Sequence, residues 1–123
     1  MAFLNDRVFD NGLTVLDTEA NSVHVTSAEA TTYTEAITTY TLGVSSSLSI
    51  AAPTDRVGDG RKVTVASIAD GSITGTGTVT HYALVDTTNS RLLATAALTA
   101  SQSVTNGNTF TLATFDIGIP DPT

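Results

Sequence analysis

Short alternations of apolar and polar residues recur along the chain, and turn-forming residues separate them about every ten positions in the second half. SVHVTS (22–27), KVTVASI (62–68) and TVTHYALVD (78–86) each alternate with a period of two. That period places successive side chains on opposite faces of a strand. RLLATAAL (91–98) runs back beside 78–86 after the polar turn TTNS, where Asn89 is expected to take the left-handed conformation. In 78–86, Val79, His81, Ala83 and Val85 share one expected face, and Thr80, Tyr82 and Leu84 share the other. One of the two is expected to be buried. TFTLATFDIGI (109–119) alternates at Phe110 and Leu112, then again in shifted register at Phe115 and Ile117. Tyr82, Leu84, Leu92, Phe110 and Leu112 are the expected core.

Between these runs lie the breakers. PTDRVGDGRK (53–62) reads as a polar loop, and TASQSVTNGN (99–108) as a polar stretch ending in Asn106-Gly107. Asp70-Gly71 reads as a turn leading into a glycine-rich strand or bulge, ITGTG. Residues 38–52 return to strand character, with Gly43 as a bulge or break. Residues 27–38 are the one place where residue preferences admit a short helix: Ala28, Glu29, Ala30, Glu35 and Ala36 favour it and the threonines oppose it. Residues 1–21 are the least regular and read as an N-terminal arm with one or two short strands around the Asn11-Gly12 turn. The expected architecture is all-β: an antiparallel β-sandwich or jelly-roll-like domain over residues 22–123, preceded by the arm 1–21.

Composition sharpens this picture. Threonine makes up about a fifth of the 123 residues, well above ordinary usage, and it is β-branched and tolerant of water. The formal net charge of −7 argues against nucleic-acid binding, which needs a basic face to displace counterions from phosphates. It argues equally against docking on anionic membranes. There is no cysteine, so disulfides, thiolate metal ligands and a cysteine nucleophile are excluded. The beginning MAFLNDRVFDNG lacks the basic and then apolar pattern of a signal peptide, and no apolar run nears the ~20 residues of a membrane span. The expectation is a protein made and kept in a cytoplasm, or released by lysis.

Candidate chemistry changes little. His24 and His81 are the two imidazoles, and nothing in their spacing supports a metal site. His81 reads as a packed or hydrogen-bonded sheet residue. No G-x-S-x-G elbow supports a serine nucleophile. GSITGTGT (71–78) is neither a dinucleotide fingerprint nor a phosphate loop, and it leads into a strand rather than a helix. Asp55 and Asp59 fall short of the alternating oxygen ligands that hold Ca²⁺. Carboxylate pairs for glycoside hydrolysis lack aromatic neighbours, since the chain has no tryptophan. The expectation is no catalytic site, no cofactor and no metal.

The run RKVTVASIADGSITGTGTVTHYALVDTTNSRLLATAAL…SVTNGNTFTLATFDI resembles a group of small virion proteins of tailed bacteriophages and prophages. In that group a Gly/Thr-rich strand leads into an aromatic-aliphatic strand ending in Val-Asp. A polar turn, a second strand and a V-x-x-G turn before a last strand follow. Here those elements are Gly75–Val79, Tyr82–Asp86, Thr87–Ser90, Arg91–Leu98, Val104–Gly107 and Thr109–Ile117. The first residues also resemble the starts of phage proteins from alphaproteobacterial hosts. The resemblance implies a structural, non-enzymatic protein of the particle, assembled in the host cytoplasm and resident in the virion. Its implied partners are the major capsid protein or other virion proteins.

Three classes then compete. The first is a structural protein, a capsid decoration or cement protein acting as a trimer, or else a neck, collar or tail component. The second is a receptor- or glycan-binding module, which would want aromatics in the loops 53–62, 86–91 and 99–108, where there are none. The third is a small hydrolase. For the first class, Phe3, Leu4, Val8 and Phe9 are candidate intersubunit anchors, with packing on their own domain as the alternative. Asp55, Arg56, Asp59 and Arg61 are candidate loop contacts to a partner, with a solvated loop as the alternative.

Overall fold

The computed structural model describes residues 3–4 by their backbone, and residues 12–56 and 60–119 in full. Among the described residues, ten strands form two antiparallel sheets: β1 (Phe3–Leu4), β2 (Ser22–Thr26), β3 (Thr41–Ser45), β4 (Thr54–Asp55), β5 (Arg61–Val65), β6 (Ile68–Ile73), β7 (Gly77–Asp86), β8 (Arg91–Val104), β9 (Thr109–Leu112) and β10 (Phe115–Ile119). The larger sheet is curled and has the order β1-β8-β7-β2-β3-β6-β9, and the smaller has the order β10-β5-β4. The domain is an all-β, sandwich-like one.

The main core lies between the sheets. Val63, Val65 and Ile117 of the small sheet meet Val23, Val25, Leu84, Leu93 and Phe110 of the large one. Tyr82 and Phe115 link the sheets directly, with ring centroids 4.5 Å apart. The shift of register noticed in 109–119 is a change of sheet: β9 ends at Leu112 on β6, and β10 begins at Phe115 on β5. Thr114, at the crossing, donates its hydroxyl to the Val65 carbonyl at 2.8 Å.

One expected strand region contains a helix instead. Residues Thr14–Glu19 form α1, which buries Val15 and Leu16 in the main core alongside Leu13. A six-residue helix without a side-chain N-cap does not hold itself, so burial of this apolar pair is what stabilises it. The short helix expected in 27–38 is present as a π-helical turn over Glu35–Thr39. With Ala30, Tyr33, Ile37 and Tyr40 it covers the outer face of the β7–β8 hairpin, where Ala83, Val85 and Leu92 form a second core.

Both faces of β7 are therefore buried over Ala83–Val85, rather than one. Nor does Val79 share a face with Ala83 and Val85. A register shift between Val79 and His81 turns Val79 into the main core beside Leu84. A second irregularity lies in β8. Leu84 pairs with Ala94 and Val85 with Leu92, so Leu93 is an extra residue. That bulge puts Leu93 and Ala94 together on the main core, while Leu92 faces the second.

Three further expectations are corrected. Asp70-Gly71 is no turn but lies inside β6, at a register shift opposite Phe110. A β-carbon on Gly71 would sit 2.1 Å from the Phe110 ring, so the glycine is there to seat that ring. Ser90, not Asn89, takes the left-handed conformation in the 87–90 turn, at φ 56°. Finally, β8 does not end at Leu98 but continues through the polar stretch to Val104.

Candidate functional site

Three places on this frame are candidates for a site. The first is the closed end of the β7–β8 hairpin. Asp86 is 2% exposed, and its carboxylate accepts the Thr88 N–H at 3.0 Å, the Asn89 N–H at 3.3 Å and the Asn89 side-chain amide at 2.8 Å. Burial alone would raise its pKa. The bonds from Asn89 and Thr88, with the charge of Arg91, outweigh that and hold it below the usual carboxylate range. Asn21 clasps the same turn from the β2 side. Its carbonyl oxygen accepts from the backbone and hydroxyl of Thr87, and its own N–H donates to the Val85 carbonyl. Arg91 reaches Glu19 of α1 at 3.4 Å. Every buried side-chain polar atom among the described residues is hydrogen-bonded. This is a structural node whose buried polar side-chain atoms are all satisfied.

The histidines form no second centre. His24 is buried on β2, with Nδ1 2.8 Å from the Thr41 hydroxyl, and burial pushes its pKa down. His81 Nδ1 lies 2.8 Å from the hydroxyl of its neighbour Thr80. Each imidazole is engaged by a threonine rather than by a carboxylate. Among the described residues no three His, Cys, Asp or Glu side chains are grouped to hold a metal ion. Nor is any described helix long and apolar enough to cross a membrane.

The candidate contact residues are placed as follows. Phe3 and Leu4 form β1, whose backbone pairs with Thr95 and Ala94 of β8. Val8, Phe9 and Asp59 lie outside the described residues. Asp55 and Arg61 meet each other across the β4–β5 hairpin at 2.6 Å, and Arg61 also donates to the Pro53 carbonyl. The Arg56 N–H donates to the Gly60 carbonyl, and its side chain lies over Gly118 of β10. Beside it, on the outer face of the small sheet, Lys62 bonds Asp116 at 3.0 Å and the Thr64 hydroxyl donates to it at 2.7 Å. These two bonds and the Lys62 charge hold the exposed Asp116 carboxyl below its ordinary range. The small sheet thus carries two local ion pairs, Asp55–Arg61 and Lys62–Asp116, away from its core face.

The third place was not singled out from sequence. A cavity of about 240 Å³ lies beside the C-terminal half of β8 and the strand β9. It is lined by Val25, Ile73, Val79 and Leu98 together with residues 102–105 and 108–112. No charged side chain lines it. The signal available in sequence was the absence of any charge between Arg91 and Asp116. No protein-family model, curated protein or solved structure matches the chain.

Proposed function

We propose that the protein is a structural, non-enzymatic component of a tailed-phage virion, and most specifically a capsid decoration or cement protein. In this reading it assembles in the host cytoplasm, acts as a trimer and bridges major capsid subunits. The observation that carries the reading is the run of residue types over 61–117. The elements that resemble the phage group fall on consecutive pieces of the fold: Gly75–Val79 enters β7, Tyr82–Asp86 completes it, and 87–90 is the turn. Arg91–Leu98 begins β8, and Thr109–Ile117 spans β9 and β10. A small β-domain with a hydroxyl-rich, sparsely charged surface supports the same role, since a subunit added to a lattice gains stability from area shared with neighbours.

Quantitative mass spectrometry of purified particles tests this. A copy number in the hundreds is the expected result and fits a capsid-lattice position. A few tens or fewer would overturn the decoration role in favour of the neck, collar or tail. Absence from clean particles would overturn the virion reading altogether.

A further inference from the structure

The segment between β2 and β3 is a flap hinged at both ends. Its base is closed: Thr26 pairs with Thr41, and the Ser27 N–H donates to the Tyr40 carbonyl at 3.0 Å. Between those points the chain folds back over the outer face of β7 and β8. Among the described residues, the hydrogen bonds of 31–39 stay inside the segment. The Thr31 N–H and hydroxyl both donate to the Glu35 carboxylate, and the Glu35 N–H donates to the Thr32 hydroxyl. The Ala36 N–H donates to the Thr32 carbonyl, and the Tyr40 N–H to the Glu35 carbonyl. Apolar contact holds this part to the sheet: buried Ala30 and Ala36 and half-buried Tyr33, Ile37 and Tyr40 lie on Ala83, Val85 and Leu92. Two buried alanines bring little area, so the attachment is weak beside the main core. A compact segment with adjoining ends, bonded to itself and lightly held, can open as a unit.

A titratable group lies at the root of this flap. Val23 and Val25 point into the main core, so Ser22, His24 and Thr26 point to the outer face, and all three are buried. His24 stands opposite Ala83 of β7 and Val44 of β3. Its Nδ1 lies 2.8 Å from the hydroxyl of Thr41, one residue beyond the hinge at Tyr40. Each element on that face brings its own groups. From β3 come Thr41 and Val44, neither of them titratable. From β7 comes His81, whose ring is engaged by Thr80. The flap carries Glu29, Tyr33, Glu35 and Tyr40, with the Glu35 carboxylate tied to Thr31. Burial is what lowers the His24 pKa, and no neighbouring charge offsets it. An imidazolium there is costly under the closed flap and hydrated once the flap lifts.

We propose that 27–40 is an acid-released flap: protonation of His24 lifts it from the larger sheet while both sheets stay folded, baring Ala83, Val85 and Leu92. The closed form dominates near neutral pH, and the open form gains as pH falls below about 6.5. The inference does not depend on the virion reading.

The chain has no cysteine, so a single introduced thiol reports on one place. Val85→Cys puts it under the flap, and Val63→Cys puts it between the sheets. Each full-length variant is labelled with 4,4′-dithiodipyridine at about pH 7.5 and about pH 5, and the rate is divided by that of the same chain unfolded in urea at the same pH. At Val85→Cys the normalised rate is expected to rise about tenfold or more in acid. At Val63→Cys it is expected to stay level. His24→Gln should remove the rise, and His81→Gln should leave it in place. Ala83→Cys and His24→Asn carry the test if either first variant does not fold. No rise under the flap, an equal rise between the sheets, or a rise that survives His24→Gln would overturn the inference. So would a rise lost in His81→Gln, because His24 would then not be the trigger.

Discussion

The two halves of β8 are built from similar residues and live in different worlds. Over Leu92–Thr95 every residue is buried, with Leu93 and Ala94 on one core and Leu92 on the other. Over Thr99–Ser103 every residue is exposed. Propensity does not separate them, because both halves are threonine, alanine and leucine with small polar residues. What separates them is cover. The first half lies between the small sheet with α1 and the 27–40 segment, and its turn is locked by Asp86 and Asn21. The second flanks a groove that no described element fills. Burial in this fold is a property of what arrives from elsewhere in the chain, not of the strand itself.

Substitutions can break that contrast, beginning where it is greatest. Leu84→Ala removes a fully buried side chain and is expected to cost about 2–5 kcal/mol, whereas Leu98→Ala, at the groove, is expected to cost under about 1 kcal/mol. Chemical denaturation of both variants measures the gap, and equal losses would show that the two halves are not distinct. Gly71→Ala drives a methyl into the Phe110 ring and is expected to cost about 1–3 kcal/mol. Much of that loss should vanish in a Phe110→Ala background, which a double-mutant cycle reads directly.

Asp86→Asn keeps the shape of the turn node and removes its charge, at an expected cost of about 1.5–3 kcal/mol. Its pH dependence has a definite sign. The native carboxyl lies below its unfolded value, near 3.9, so its stabilisation is complete above that pH and is lost as pH falls through the native pKa. The wild-type protein should therefore lose more stability than Asp86→Asn between neutral pH and acid. His24 acts in a higher window. Its native pKa is depressed by burial, so stability should begin to fall as pH drops below about 6.5 and continue to fall through the native value. His24→Gln should flatten that portion of the curve. The smallest effect is expected at the exposed Lys62–Asp116 pair, where Asp116→Asn should be indistinguishable from wild type in thermal melts.

The strands with clean alternation were legible from sequence. Val63 and Val65 sit together on the core as their spacing implies, and the shifted pattern around Phe115 marked a real change of sheet. α1 was not legible, because Thr14, Val15 and Leu16 carry no helical signature and only the buried Val15-Leu16 pair holds them helical. Asp70-Gly71 misled because the dipeptide that favours a turn also suits a strand crossed by a large ring. The two-sided burial of β7 depends on 27–40 folding back over it, a contact no local pattern encodes. The groove is not legible in the sequence for the same reason: which strand edges stay unpaired follows from sheet order, and sheet order is written in no single segment.

The four-residue turn between β8 and β9 has a geometric consequence. The two strands are neighbours in the chain, yet they stand five strand positions apart in the sheet. Laid flat, five inter-strand spacings would span about 24 Å. The chain from Val104 to Thr109, even pulled straight, reaches at most about 18 Å. A planar sheet is thus unreachable for this sequence whatever its side chains prefer. The short turn works as a tether whose length sets a minimum curvature, and lengthening it by a few glycines would relax the bend without touching a single core residue.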